Sequence, residues 1–153
     1  MTAYELLRTD SSHADFLALV RLLDAELAVL DGEDHAFYAQ YNRTDKIRHC
    51  VVAYDQGRAV GCGAIRPIDT TAMEVKRMFV LPDWRRKGVA STVLTQLERW
   101  CTELGYPVCR LETGKRQPEA IALYHRHGYK IIPNYGQYEG MDNSVCFEKH
   151  LKL

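Results

Sequence analysis

The chain has 153 residues, of which 46% are hydrophobic and 26% charged, and its twenty basic residues balance twenty acidic ones. This size and composition are typical of one compact domain, so we expect a single domain over residues 1–153. The charge balance argues against nucleic acid or an anionic membrane as a partner of the whole surface. No apolar stretch is long enough to cross a bilayer, and the first ten residues lack the apolar core of a secretory signal, which predicts a cytoplasmic protein.

Five cysteines are scattered along the chain without a CxxC spacing: Cys50, Cys62, Cys101, Cys109 and Cys146. This number and spacing fit neither a disulfide framework nor a zinc knuckle. We interpret the cysteines as reduced thiols in the core, and we expect no metal ion.

The first elements predicted along the chain are a strand over residues 3–9 and a long helix. Ser12 and Asp15 have the spacing of a capping box, which places the start of the helix there. Asp31 and Gly32 are expected to end it. The apolar residues between fall on one helical face: Phe16, Val20, Leu23, Leu27 and Leu30.

A short second helix is expected over residues 34–42, followed by a change to β-type patterning. Residues 49–68 form two β-branched runs joined through DQGR, the pattern of an antiparallel hairpin. A third run over residues 72–81 completes a meander.

The second half of the chain predicts the order β-α-β-α-β-β. A strand, a helix and a strand in close succession imply a parallel pair with a right-handed crossover, whereas the meander implies antiparallel neighbours. We therefore expect an α+β fold with a mixed, mostly antiparallel sheet of about six to seven strands and about four helices. The first helix of the second half, over residues 88–104, is expected to bury Val89, Val93, Leu97, Trp100 and Leu104. The later elements are a strand over 108–113, a helix over 118–128, and strands over 129–133 and 144–151.

Residues 85–90, with the sequence RRKGVA, mark the transition from the meander to the helix over residues 88–104. The first N–H groups of a helix have no intrahelical partner, and the helix dipole adds partial positive charge at the same point. Gly88 removes a side chain that would block close approach, and three basic side chains bring formal charge, so the segment suits a diphosphate. The alternative interpretation is a solvated basic turn in which the glycine only allows the bend.

Two common phosphate motifs do not fit the chain. It contains no GxxxxGK[ST] sequence, and Gly61 and Gly63 are followed by Arg66 where a dinucleotide fingerprint needs its third glycine. This argues against nucleoside triphosphates and nicotinamide cofactors.

Residues 85–90, with MFVLPDW before them and an amphipathic helix after them, resemble the [QR]-x-x-G-x-[GA] acetyl-CoA signature of the GNAT N-acetyltransferase superfamily. The order of predicted elements over nearly the whole chain also resembles that fold. The resemblance implies that acetyl-CoA is the co-substrate, held at its pyrophosphate by the loop and at its pantetheine arm by the preceding strand. The implied cofactor-binding residues are Met78, Phe79, Val80, Arg85, Arg86, Lys87, Gly88, Val89, Ala90, Ser91, Gln117 and Ala120.

The chain departs from the family pattern at one position of the next helix. Similar enzymes carry N-x-x-A-x-x-x-Y there, and Gln117 takes the place of the asparagine while Ala120 and Tyr124 match. The longer side chain of Gln117 changes how far a hydrogen bond to the pantetheine would reach.

An amine that attacks a thioester needs a group that accepts its proton, and the departing thiolate needs a proton donor. By the resemblance, Glu74 is the proton acceptor, directly or through water, and Tyr124 is the acid that protonates the sulfur. A phenol retains its proton at neutral pH, which suits that role. From the residues alone, Glu74 is better interpreted as a solvent-facing strand residue beside Lys76, and Tyr124 as a packing residue of its helix.

In similar folds the acceptor enters between the first two helices and the loop before the last strand. Both segments of this chain carry tyrosines and acids, which suit a cationic amine, although such side chains also pack and solvate loops. Arg66, Lys76 and Arg77 favour a carboxylate instead, so an amino acid acceptor stays open. The candidate acceptor-binding residues are Glu33, Tyr38, Tyr41, Tyr135 and Tyr138.

The sequence thus predicts an enzyme that moves an acetyl group from acetyl-CoA to a primary amine of a small molecule or peptide, by direct attack in a ternary complex. The alternative is a non-catalytic acyl-CoA-binding module. Nucleic acid is disfavoured as a partner, because no basic face extends beyond the loop. An exposed strand edge or the tyrosine-rich loops leave room for a homodimer.

Overall fold

The computed structural model describes residues 4–41 and 46–152, without the side chain of Tyr41. The strands in these residues form one seven-stranded mixed sheet. The strands are β1 (Glu5–Thr9), β2 (His49–Asp55), β3 (Arg58–Pro67), β4 (Ala72–Val80), β5 (Val108–Gly114), β6 (Lys130–Ile132) and β7 (Ser144–His150). The α-helices in these residues are α1 (Ala14–Asp31), α2 (His35–Tyr41), α3 (Val89–Glu103) and α4 (Pro118–Arg126). None of them is long and apolar enough to cross a membrane.

The strand order β1-β2-β3-β4-β5-β7-β6 combines the meander with a crossover. The β4–β5 pair is parallel and is connected through α3, as the strand–helix–strand pattern predicts. The other neighbouring strands in the described residues pair antiparallel. The predicted α+β class and element order are therefore confirmed.

Each face of the sheet has its own hydrophobic core, because successive side chains of a strand point to opposite faces. On β2, Val51 and Ala53 pack with α3 and α4, whereas Cys50 and Val52 pack under α1. The first core also contains Val93, Leu97 and Phe147, and the second contains Phe16, Leu19 and Leu23. The five cysteines are free and buried, as predicted.

Helix α3 approaches β3 closely at Gly63. A Cβ atom at this position would lie 2.5 Å from the sulfur of Met78 and 2.8 Å from Cδ1 of Leu97. Only a glycine therefore lets the helix reach this depth without displacing its neighbours. The contact fixes the middle of α3 relative to β3 and β4.

The predicted capping box at α1 is wrong. The helix begins at Ala14, and His13 is its N-cap without a side-chain hydrogen bond. Ser12 instead donates both its hydroxyl and its backbone N–H to Asp10, at 2.5 and 2.9 Å. Asp15 accepts a hydrogen bond from the Tyr54 hydroxyl at 2.6 Å. Local side-chain bonds to a preceding aspartate thus compete with the cap.

The predicted buried face of α3 is correct in its first three turns and wrong in the last. Val89, Val93 and Leu97 are buried, but the stripe continues to Cys101, and Leu104 is exposed beyond the helix end. Trp100 is only partly buried and lies under the guanidinium of Arg8, 4.8 Å from its ring centroid. The buried row continues in steps of four residues, and such a row is inclined to the helix axis, so the last turn presents Cys101 to the sheet in place of Trp100 and Leu104.

Candidate active site

The central feature of the site is an opening between β4 and β5. The two strands pair only at their first residues, ending with Glu74 opposite Arg110, although β4 continues to Val80 and β5 to Gly114. On the other edge of β4, the register with β3 shifts between Cys62 and Ala64, close to Arg77, whose φ is 59°. A bulge of this kind bends a strand away from its neighbour.

A cavity of about 880 Å³ occupies this opening and extends to both faces of the sheet. Its walls come from β4, β5, α1, α4 and the loop before α3. Of the predicted site residues, those that line it are Glu74, Met78, Phe79, Val80, Arg85, Arg86, Gly88, Val89, Ala90, Ser91, Gln117, Ala120, Tyr124, Tyr38 and Tyr138. The cavity therefore brings most of the predicted cofactor, catalytic and acceptor residues together.

The loop at the start of α3 presents backbone N–H groups to the cavity. Gly88 is the N-cap, with φ 83°, and no side chain caps the helix at this end. A left-handed conformation of this kind is readily adopted by glycine. The N–H groups of the first turn consequently have no intrahelical partner and are available to an anion.

The basic side chains of the loop take different positions. Arg85 folds back, donating from Nε to the Val80 carbonyl at 3.0 Å and from Nη2 to Glu26 of α1 at 2.7 Å. Arg86 is exposed at the rim and pairs with Glu119 of α4 at 2.7 Å. Lys87 does not line the cavity, and its carbonyl accepts a hydrogen bond from the Tyr4 hydroxyl at 2.8 Å. Of the three basic side chains in this loop, Arg86 is thus the one that is exposed and also lines the cavity.

Tyr124 reaches the cavity from α4, which begins at Pro118 after its N-cap Gln117. Its ring packs against Tyr129 and Phe147, with both centroid distances at 5.8 Å. Its hydroxyl has no hydrogen-bond partner among the described residues. Burial raises the pKa of Tyr124 above its ordinary value, so the phenol stays protonated at neutral pH.

Glu74 is buried and fully engaged by its neighbours. One carboxylate oxygen lies 3.4 Å from Nε of Arg66 and 3.8 Å from the ammonium of Lys76. The other accepts a hydrogen bond from the Tyr135 hydroxyl at 2.7 Å. The alternative of a solvent-facing Glu74 is excluded, since its side chain is 4% exposed.

Glu112 of β5 is a second carboxylate in the cavity, and it is not among the site residues predicted from the sequence. It accepts a hydrogen bond from the Ser144 hydroxyl at 2.7 Å, and the Tyr38 hydroxyl lies 2.6 Å from the same serine oxygen. Because Ser144 gives its only hydroxyl proton to Glu112, Tyr38 donates to Ser144. Burial raises the pKa of Glu112 to about 7. The one sequence signal for a role of Glu112 was an acid within a strand whose other residues are mostly buried.

The tyrosine-rich segments meet over these carboxylates. The rings of Tyr38 and Tyr138 stack with centroids 6.5 Å apart, and Tyr135 lies perpendicular to Tyr138 at 5.7 Å. Tyr135 lines a separate, smaller cavity that also contacts Glu74. Glu33 is exposed and lines neither cavity, and the side chain of Tyr41 lies outside the described residues.

Asp31, the last residue of α1, also lines the main cavity and was interpreted from sequence only as part of a helix end. It is 6% exposed, and its carboxylate takes part in no hydrogen bond or ion pair with the residues that the structure describes. Burial raises the pKa of Asp31.

Comparison with known proteins shows that this fold is typical of enzymes that use acyl-CoA. Residues 16–129 match the sequence model of the Acetyltransferase (GNAT) family. The chain therefore belongs to the GNAT family and is an acetyltransferase. The family assignment confirms the resemblance identified in the sequence.

Two curated relatives illustrate the similarity. An IAA acetyltransferase of Azospirillum brasilense is 39% identical over 103 residues, which cover 66% of this chain and 67% of the relative. YsnE of Bacillus subtilis, an uncharacterized N-acetyltransferase, is 33% identical over 101 residues, covering 65% of this chain and 67% of the relative.

Solved structures extend the similarity to the whole chain. A Klebsiella pneumoniae protein to which acyl-CoA N-acyltransferase activity is ascribed is 31% identical, with a TM-score of 0.82 over 97% of this chain and 98% of its own. A GNAT acetyltransferase of Elizabethkingia anophelis with acetyl-CoA bound shares the fold at 14% identity, with a TM-score of 0.71 over 97% of this chain and 98% of its own.

Proposed function

We propose that the protein transfers an acetyl group from acetyl-CoA to a primary amine of a small molecule or peptide, with both substrates bound at once. The observation that carries this proposal is the continuity of the cavity. It contains the N–H groups at the start of α3 on one side and Glu112, Tyr38 and Tyr138 on the other. A donor and an acceptor that enter from opposite faces would meet between β4 and β5, and holding them together removes much of the entropic barrier.

The loop from Gly88 to Ser91 would hold the cofactor diphosphate through its backbone N–H groups, with Arg86 adding charge at the rim. The unpaired edge of β4 from Met78 to Val80 would bond to the amide groups of the pantetheine arm. A backbone N–H of the same edge would polarise the thioester carbonyl. Gln117 and Ala120, which line the opposite wall, complete the channel.

Glu112 is the better candidate for accepting the proton of the amine. Glu74, the residue suggested by the family resemblance, already interacts with Arg66, Lys76 and Tyr135. Both of its carboxylate oxygens are therefore occupied by groups of the protein itself. Glu112 accepts one hydrogen bond, from a neutral hydroxyl, and its pKa of about 7 lies where a general base is most effective.

In the proposed reaction, the amine nitrogen forms a bond to the carbonyl carbon of the thioester, and its proton passes to Glu112 directly or through a water molecule. The carbon–sulfur bond breaks, and the thiolate of coenzyme A takes the proton of Tyr124. In this scheme Glu74 positions Lys76 and Tyr135 around the acceptor.

The proposal is tested by mixing the protein with acetyl-CoA and a panel of primary amines, and by following the release of free thiol. We expect release that depends on both the protein and an amine. Stabilisation of the fold by acetyl-CoA without thiol release on any amine would instead indicate a non-catalytic acyl-CoA-binding module.

A further inference from the structure

Asp31 has a structural position that neither the fold nor the proposed acetyl transfer explains. It is more than nine-tenths buried at the cavity wall, and it has no hydrogen bond or ion pair with the described residues. A buried carboxylate without a hydrogen bond is costly, because the nearby basic groups offset only part of its desolvation. A cationic ligand that supplies the missing partner would remove this cost.

The position of Asp31 in its helix adds to the negative potential. It is the last residue of α1, where the helix dipole places partial negative charge, and no basic residue occupies the last turn. Arg116 and His35 are the nearby basic groups that act on Asp31. The guanidinium of Arg116 is directed to the Leu30 carbonyl instead, at 2.9 Å.

The aromatic and acidic surroundings of Asp31 also favour a cation. Tyr38 lines the same cavity and lies within electrostatic range of Glu112, Asp34 and Asp31. Asp34, in the short turn after α1, adds a further negative charge that acts on Asp31. Tyr138 stacks on Tyr38 and presents a second aromatic face to the cavity.

The cations that would hold a carboxylate in the acceptor are already paired with acids of the protein. Arg66 and Lys76 both face Glu74, so a substrate carboxylate would compete with a partner that the protein already supplies. Arg77 lines the cavity and pairs with Asp24, and its Nε and Nη1 atoms, although unpartnered among the described residues, have almost no exposed surface. These arrangements disfavour an amino acid held through its carboxylate.

We infer that the acceptor is a diamine-type molecule, in which one amino group reacts beside Glu112 while a second, charged one binds to Asp31. This rests on the proposed acetyl transfer, because Glu112 must receive the proton of the reacting amine. Once Glu112 is protonated, Asp31 remains the negative partner of the second ammonium group. The two carboxylates therefore have separate roles, one in reaction and one in recognition.

The first test uses the wild-type protein. Thiol release from acetyl-CoA is measured for a series of α,ω-diaminoalkanes, for n-alkylamines of matched length, and for amino acids. We expect kcat/KM for the best diamine to exceed that of the matched monoamine by roughly tenfold or more, the effect of one hydrogen bond to a charged group. Equal values, or a preference for amino acids, would overturn the inference.

The second test uses Asp31→Asn. We expect kcat/KM for the diamine to fall roughly tenfold to hundredfold, while monoamine turnover and KM for acetyl-CoA stay unchanged. Asp142→Asn is the matched control, because it removes the same charge from an exposed position that lines no cavity. An equal loss for diamine and monoamine in Asp31→Asn would show a structural role and contradict the inference.

Direct binding separates this inference from the proposed reaction. A diamine is titrated calorimetrically into wild-type protein and into Asp31→Asn in the absence of acetyl-CoA. Binding that needs Asp31 supports the inference even if no amine is acetylated, an outcome that would refute only the transferase. Acetylation of monoamines without diamine preference or diamine binding would refute only the inference.

Discussion

At the scale of single residues, the two glutamates of the cavity differ in their hydrogen bonds and ion pairs. Glu74 faces two cations and a phenol, whereas Glu112 accepts its hydrogen bond from one serine hydroxyl, to which Tyr38 donates in turn. The chain of donors from Tyr38 through Ser144 fixes the orientation of the Glu112 carboxylate. Because it joins α2, β7 and β5, the proposed base is positioned by three separate parts of the fold.

Glu112→Gln tests the proposed proton acceptor. We expect kcat/KM of the wild type to rise with pH through about 7, as Glu112 loses its proton and becomes a base. The variant should lose this inflection and roughly a hundredfold in activity, since general bases contribute about that much. Rates are measured across the neutral range with several amines of different pKa.

Glu74→Gln is the matched control for that experiment, because it replaces the other cavity-lining glutamate in the same way. We expect it to retain the inflection, although its activity falls if Lys76 and Tyr135 lose their position. If the inflection disappears in Glu74→Gln and remains in Glu112→Gln, the assignment of the base is reversed.

Glu112 also predicts a pH dependence of stability. Burial raises its pKa to about 7 in the folded protein from an ordinary value of 4.5, so the folded state binds more protons between these values. The free energy of unfolding contributed by Glu112 therefore falls as pH rises through this window. In urea titrations, Glu112→Gln should gain about 1–3 kcal/mol relative to wild type between the acidic and the neutral limit. Parallel pH curves for the two proteins would contradict the raised pKa.

Tyr124→Phe tests the proposed proton donor. The ring contacts with Tyr129 and Phe147 remain, and the hydroxyl makes no hydrogen bond within the described residues, so the fold should be retained. We expect kcat to fall roughly tenfold to hundredfold while the dissociation constant of acetyl-CoA is unchanged. Unchanged turnover would remove Tyr124 from the mechanism.

At the scale of elements, the start of α3 joins the core to the cofactor site. Gly63 lets the helix lie close to β3, and Gly88 turns the chain so that the first N–H groups face the cavity. The Tyr4 hydroxyl donates a hydrogen bond to the carbonyl of Lys87, and Arg85 pairs with Glu26 of α1. The loop is thus held in place from two directions before a ligand binds.

Gly88→Ala and Gly105→Ala form a matched pair at the two ends of this helix. Both glycines have positive φ, 83° and 91°, and an added Cβ meets no atom within 4 Å at either position. Each variant should lose about 1 kcal/mol of stability through backbone strain. We expect only Gly88→Ala to weaken acetyl-CoA binding, roughly tenfold or more, because its methyl group occupies the diphosphate position. Similar dissociation constants for the two variants would argue against binding at this loop.

Much of this element order could be predicted, because periodicity and turn residues are local signals. The meander, α3 and the parallel crossover all follow from patterns within about twenty residues. The role of Glu112 could not be predicted in this way. It depends on the separation of β5 from β4 and on Ser144 and Tyr38, which lie far away in the chain. Asp31 was hidden for a similar reason, since a helix end gives no sign of the cavity beside it.

At the scale of the whole molecule, the proposed cofactor site is assembled from parts of both halves of the chain. Its walls include α1, β4, β5, α4 and the loop before α3. Unfolding of the sheet would therefore destroy the site, so ligand binding and global stability are linked.

Acetyl-CoA should accordingly raise the melting temperature of the protein. At a hundredfold excess over its dissociation constant, a ligand that binds only the folded state adds about 2.7 kcal/mol, which is roughly 5–10 °C for a chain of this length. The shift is measured by differential scanning calorimetry at increasing acetyl-CoA, with Gly88→Ala as the weakened comparison. A melting temperature that does not respond to the cofactor would contradict binding of acetyl-CoA to the folded protein.

The early separation of β4 from β5 also has a consequence for solubility. Backbone groups left without a strand partner usually invite pairing with another chain, which is a route to aggregation. In this protein that unpaired edge lies inside the sheet, between walls formed by α1 and α4. The backbone groups of this edge therefore face the cavity, where the proposed pantetheine arm would bond to them. A bound cofactor would thus cover an edge that is otherwise a site for strand pairing.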